Sequence, residues 1–414
     1  MRIRSFRLWA VLRLLLCVTS TWAQSGDGAT AERIAALKKL AASGDAKAQF
    51  ELGMDYDNGQ GVRKDHAEAT RWFRKAAEQG NATAQYNLGV AYESGGRGVP
   101  RDYAEAVKWF HKAAEQGDAF NEFYLGIVYH KGVDVPKDEV AAAKWWRKAA
   151  EQGNAPAQYH LGLAYSIGEG VPQDYAEAAR WYRKAAEQGH ATAQYNLAVL
   201  YHSGEGVPQD HTQAAAWTRK AAEMGLAPAQ YYLGMLYANG QGVQQDFAQA
   251  AAWYRKAAEQ GDAEAQDSLG SVFMLGQGVP QDYTGAAVWF RKAAGQGDSY
   301  AEYSLGAMYE AGNGVTQDNA QAAVWYRKAA EQGYDLAQWG LGLLYLSGDG
   351  APQDYTEAYF WLDIAATGKM EGAKREDVAR IRDIAASHLT PANLTRVQER
   401  ARKWFEDHPP KANP

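Results

Sequence analysis

The residues of this chain that could do chemistry are scattered histidines, a large set of acids and many Gly-x-Gly segments, and each recurs along the chain instead of gathering in one place. His130, His160, His190, His202 and His211 are among nine histidines. Imidazoles hold a metal when several converge from neighbouring elements. His160 and His202 come nearest to a pair, but solvated polar positions explain them more simply. No serine is followed three residues on by lysine, and neither a Gly-x-Ser-x-Gly elbow nor a His-Glu-x-x-His pair is present. The Gly-x-Gly segments lack the preceding strand and following lysine of a phosphate loop, so they read as turns. Asp65, Asp102, Asp174 and Asp354 read as helix caps, and the Arg-Lys pairs as solvated charges near helix C-termini. These residues predict no catalytic site, no metal and no cofactor.

A binding surface is the better candidate. One position, just before a recurrent leucine, carries Glu51, Asn87, Tyr124, His160, Asn196, Tyr232, Ser268, Ser304 and Gly340. At about 100° of helical rotation per residue it points away from the leucine stripe. Asn, Tyr, His and Ser there can donate and accept hydrogen bonds to an extended peptide or a glycan. Next to it runs an aromatic series: Phe50, Tyr86, Phe123, Tyr159, Tyr195, Tyr231, Tyr303 and Trp339. Its angle places it at the edge of the core, where packing between repeats is the expected role. The series breaks at Asp267, which is followed by Ser268 and Ser271, so the seventh repeat is locally polar.

The elements that position these residues recur every 36 residues. A Leu-Gly motif falls at Leu52, Leu88, Leu125, Leu161, Leu197, Leu233, Leu269, Leu305 and Leu341, with Ala for Gly after Leu197 and one interval of 37. Tryptophan keeps step, from Trp72, Trp109 and Trp145 to Trp361. Each unit reads as two helices. In the first, Ala46, Gln49, Leu52, Gly53 and Tyr56 share a stripe. The second starts at an Asp65-type cap, whose Glu68 predicts a capping box, and buries Ala69, Trp72, Phe73, Ala76 and Ala77. Gly80 ends it in a left-handed conformation. Thin helices leave a hollow that the tryptophan is expected to fill, worth about 3–5 kcal/mol.

The ends differ from the repeats. Residues 1–23 combine Arg2, Arg4 and Arg7, an apolar stretch interrupted by Arg13, and Thr21-Trp22-Ala23 before Gln24, the layout of a cleaved signal peptide. Residues 24–44 are a linker and capping helix, 45–368 the nine repeats, 369–408 C-terminal capping helices and 409–414 a tail. Ile34, Leu37 and Leu40 are expected to face inward at one end; Val378, Ile381, Ile384, Leu394, Val397, Ala401 and Trp404 at the other. The leader removes the only cysteine, Cys17, and four arginines, leaving 39 basic against 49 acidic residues. A net acidic chain disfavours nucleic acid, and no later segment is long enough to span a membrane.

Ala-Glu-Ala-Ala-Arg-Trp-Tyr-Arg-Lys-Ala-Ala-Glu-Gln-Gly at 176–189, repeated in nine copies, resembles the Sel-one-like repeat family, relatives of tetratricopeptide repeats. The resemblance implies an all-α, α/α superhelical solenoid whose first helices line a concave side, so that Asn87, Tyr124, His160, Asn196, Tyr232, Ser268 and Ser304 would form a row down a groove. Ala198, Phe273, Asp134 and Ala351 depart from the pattern locally. It further implies a non-enzymatic adaptor, periplasmic or secreted, that binds an envelope or host protein or a glycan. Two other classes stand beside it: a cell-wall-associated hydrolase or β-lactam-binding protein, and a self-assembling scaffold.

Overall fold

The computed structural model describes residues 27–132, 136–368 and 372–408. The leader 1–23, Asp134 and the tail 409–414 lie outside the described residues. Among these there are 21 helices and no strand. Two compact units divide the chain after Ala185. In each, helices pack on their neighbours in sequence, the α/α stack of an all-α solenoid.

The first unit opens with Asp27–Ala42, followed by first helices such as Ala46–Asn58, Ala82–Ser94 and Ala155–Ile167 alternating with second helices such as His66–Glu78 and Glu139–Glu151. The second continues the alternation from Ala191–Ser203 to Tyr355–Thr367 and ends with Gly372–Ser387 and Pro391–Asp407. Within a repeat the two helices are clasped at one end by the capping aspartate. Asp65 Oδ1 accepts from the backbone N–H of Ala67 and Glu68, while its own N–H donates to the Tyr56 carbonyl at 2.9 Å. That second bond recurs down to Asp354 and Tyr345. It also corrects the expected capping box: the N–H that Glu68 would have accepted is already taken, and Glu68 pairs with Arg71 instead.

The hollow over the helical glycine is filled by the residue after the tryptophan, not by the indole. A β-carbon on Gly162 would fall 2.7 Å from the Tyr182 ring, and Phe73, Phe110, Trp146, Tyr254, Phe290 and Tyr326 stand likewise over their glycines. Ala198, the one departure at this position, is matched by Thr218 where the others have a large side chain, and both are fully buried. The lost ring makes room for the added methyl.

The indoles lie between repeats. Trp109 packs on Ala76 and Ala77 of the preceding second helix and on Leu88 of its own first helix. Trp145 packs on Ala114 and Leu125 in the same way. Their outer faces are covered by lysine, with Lys75 Nζ 4.1 Å from the Trp72 ring centre and Lys256 Nζ 3.7 Å from that of Trp253. Such cation–π contacts cover the part of each indole that reaches the surface.

A buried polar ladder joins the repeats. Gln158 Nε2 donates to the Ala150 carbonyl at 3.0 Å, and the same bond recurs at Gln49, Gln85, Gln194, Gln230, Gln266 and Gln338. In many repeats the amide oxygen accepts in turn, as Gln266 Oε1 does from Gln296 at 2.9 Å. Buried amides are stable only when bonded in this way. At the ends, Leu40 and Ile384 are exposed, against expectation; Ala41 and Ala385 take the inward positions beside Leu37 and Val378.

Candidate binding face on the first helices

Each side chain of the expected row sits one helical step from the leucine stripe, and the structure places most of them half-buried. In the first unit, Asn87 Nδ2 lies 3.6 Å from Met54 Sδ. Tyr124 donates its hydroxyl to Glu93 Oε2 at 2.8 Å and meets Tyr86 edge-on. Burial, with Glu93 beside it, holds the Tyr124 phenol far above its usual range, and Tyr86 is pushed up to about 12. His160 stacks on Trp146 at 4.9 Å. These side chains therefore face the preceding repeat as much as solvent. Helical angle alone does not reveal this, because the preceding repeat closes over the same sector.

In the second unit, Asn196, Tyr232 and Ser268 are half-buried, and Ser304 is buried at 4% exposure. The structure brings two of the four to open clefts. Tyr232 lines one of about 560 Å³ with Tyr195, Tyr231, Met235, Asp262 and Glu264. Ser268 lines another of about 260 Å³ with Asp267, Ser271, Tyr254 and Tyr300. Ser304 reaches neither lining. The aromatic series does pack, but largely within its own repeat: Tyr159, Tyr231 and Tyr303 tilt against Tyr182, Tyr254 and Tyr326. At Asp267 that ring is missing. Burial, with Asp298 nearby, pushes the Asp267 carboxyl up to about 7.

The histidines pair differently from the sequence expectation. His202 meets His211 of the same repeat at 4.9 Å, and burial together with His211 lowers its pKa. His130 Nδ1 lies 2.9 Å from Glu139, and with Glu169 these two offer ligand atoms within 4.8 Å of one another. That donor set suits a divalent cation, although Lys137 Nζ already pairs with Glu139 at 2.7 Å. His190 is a cap: its Nδ1 accepts from the Ala193 N–H, and burial lowers its pKa. Sequence reading missed the acids Asp262 and Glu264; a Pro228–Tyr232 stretch facing two acids one repeat later was the available signal.

Paired helices repeated with a glycine–aromatic wedge and interfacial side chains of this kind define an α-helical repeat protein. The Sel1 repeat model matches ten segments: 46–81, 82–118, 122–154, 155–190, 191–226, 227–262, 263–298, 299–334, 335–369 and 385–406. The chain belongs to the Sel1 repeat family. The tenth segment falls on the last two helices, Gly372–Ser387 and Pro391–Asp407, beyond the nine repeats counted from the leucine spacing. Among solved structures, a protective antigen of uropathogenic Escherichia coli, c5321, displaying an SLR fold, is 35% identical over 91% of this chain and 95% of its own, with a TM-score of 0.52. A Sel1 repeat protein from Oxalobacter formigenes is 35% identical over 80% of this chain and 99% of its own, with a TM-score of 0.62. No curated protein matches. Sel1 repeat proteins are in general protein-interaction scaffolds and in general not catalytic.

Proposed function

We propose that this chain is a non-enzymatic adaptor, exported to the bacterial envelope or beyond it, that holds a partner protein against the first-helix faces of its repeats. The observation that carries this reading is the tyrosine-lined cleft of about 560 Å³, built from consecutive first helices by Tyr195, Tyr231, Tyr232, Asp262 and Glu264. Tyrosine joins a large apolar face to a hydroxyl, the mixture that anchors protein interfaces. A cleft assembled from three repeats suits an extended segment that runs along them. The signal-peptide layout of residues 1–23 supports export, and the likeness to a protective antigen is in keeping with a place outside the cytoplasm. Among the described residues no helix is long and apolar enough to cross a membrane.

The test is photo-cross-linking of residues 24–414 in envelope extract, then in host extract, with the sites mapped. Saturable capture of one protein is expected, with cross-links on this cleft. Tyr232→Ala together with Glu264→Ala should abolish the capture while helicity is unchanged. Equal capture by that double variant would overturn the proposed face, and covalent labelling by a fluorescent penicillin would overturn the non-enzymatic reading.

A further inference from the structure

The seventh repeat departs from its neighbours at two positions one helical turn apart, both in the same direction. Where other first helices carry an aromatic ring, such as Tyr159, Tyr231 and Tyr303, this one carries Asp267. Where they carry Met54, Val90, Ile127, Leu163, Val199 or Met235, it carries Ser271. The frame around them is intact. Leu269 is fully buried, Gln266 keeps its bond to the Ala258 carbonyl, and Phe290 still sits over Gly270. Removing volume without moving the frame opens a cleft of about 260 Å³, walled by the rings of Phe247, Tyr254 and Tyr300 and by the polar groups of Asp267, Ser271 and Gln277.

Asp267 Oδ1 is buried and has no hydrogen-bond partner among the described residues. Among the described residues no lysine or arginine lines the cleft. Its ionisable neighbours add negative charge: Asp298 acts on Asp267 directly, and Asp262 and Glu264 act on the adjoining Tyr231. A carboxylate without a counter-ion, desolvated beside other acids, is an unfavourable arrangement that a cation relieves and a neutral hydroxyl does not. Aromatic rings around it add attraction for the same charge.

From this geometry we infer that the Asp267 cleft is a socket for a protonated side-chain amine, a lysine presented by a basic segment of the partner protein. The inference rests on the adaptor reading and names the chemistry of that partner. The lysine stem would lie along the rings of Phe247, Tyr254 and Tyr300, with its ammonium against Asp267 and with Ser271 and Gln277 completing its hydrogen bonds. The socket adjoins the tyrosine cleft, because Tyr231 of that cleft lies beside Ser268 of this one. A partner strand could fill both.

The test uses residues 24–414 and a fluorescein-labelled hexapeptide carrying two lysines, read by anisotropy, with the same peptide acetylated on both lysines as control. Saturable binding of the lysine peptide alone is expected. Asp267→Asn should weaken it by about tenfold, the loss of roughly one charge-assisted contact. Asp267→Tyr restores the ring of the other repeats and should abolish binding with the fold intact. Binding should also strengthen from pH 5.5 to pH 8 as the carboxyl ionises; the groups facing it are Asp298, Tyr231 and Tyr334. Equal binding of the acetylated peptide, indifference to Asp267→Tyr, or no binding of the lysine peptide would each overturn the inference. So would a chito-oligosaccharide competing for the site, which would make it a glycan site. If cross-linking captures a partner equally well with parent and Asp267→Tyr, the socket is wrong while the adaptor reading stands.

Discussion

The fourth and seventh repeats share a frame and differ in what they offer to the outside. In the fourth, Gly162 receives Tyr182, Gln158 bonds the Ala150 carbonyl, and Tyr159 leans on Tyr182 at 6.1 Å. In the seventh, Gly270, Phe290 and Gln266 do the same work, but Asp267 replaces the leaning ring and a cleft opens. The frame is therefore set by the Ala-Gln-Leu-Gly stripe and the wedge above the glycine. The neighbouring stripe can change without loss of the fold. That separation is how a repeat protein varies its surface at constant architecture.

The comparison breaks first at the wedge. Gly162→Leu, which forces a side chain into the Tyr182 ring, should cost about 3 kcal/mol by overpacking, read as a lowered urea midpoint. Gly162→Ala with Tyr182→Thr copies the Ala198 and Thr218 solution and should recover part of the loss that Gly162→Ala suffers alone. Additive effects in that cycle would show that wedge and glycine are not coupled.

A smaller effect is expected at the cleft. Burial in the folded state pushes the Asp267 carboxyl up to about 7, against the ordinary 3.8 it has when the chain unfolds. The folded state therefore holds a proton that the unfolded chain has released, and stability falls as pH rises through that window. Asp267→Tyr should remove this dependence and raise the urea midpoint at pH 8, with the Asp267-linked part of that gain gone below pH 4. Parallel pH–stability curves for parent and variant would refute it.

The smallest effect concerns Glu302, which stands where most repeats carry the laddering glutamine. Burial raises its pKa, and Gln332 Nε2 donates to it at 2.7 Å. Glu302→Gln should add the missing donor to the preceding helix and stabilise by about 0.5–1 kcal/mol at pH 7. Below the unfolded carboxyl range, where Glu302 is protonated in both states, the charge-linked part of the gain disappears. A destabilised variant at pH 7 would show that the carboxylate is required there.

Much of the fold was legible because period and phase are properties of sequence. The spacing of Leu52, Leu88 and their successors counts the repeats, and Asp65 and Gly80 mark helix ends. The radial partners were not legible. Nothing in a 3.6-residue period tells Trp72 from Phe73 as the wedge, since both lie near one face. Nor does it show that Asp65 spends its N–H on Tyr56, a contact between helices. Of the expected binding residues, Tyr232 and Ser268 reach clefts, whereas Ser304 is enclosed because neighbouring repeats cover its sector. The break at Asp267 was visible at once, but the depth it creates depends on rings from the repeats on either side.

The indole seated on the alanines of the preceding repeat has a consequence for how such chains change length. Several copies carry the same plug and the same receptacle, Trp109 on Ala76 and Ala77, Trp289 on Ala257 and Ala258. Excising one whole copy joins a plug to an equivalent receptacle and leaves no mismatched seam. Gaining or losing copies is therefore a mild edit to a gene of this kind, whereas a cut made in mid-copy strands an indole with nothing to sit on.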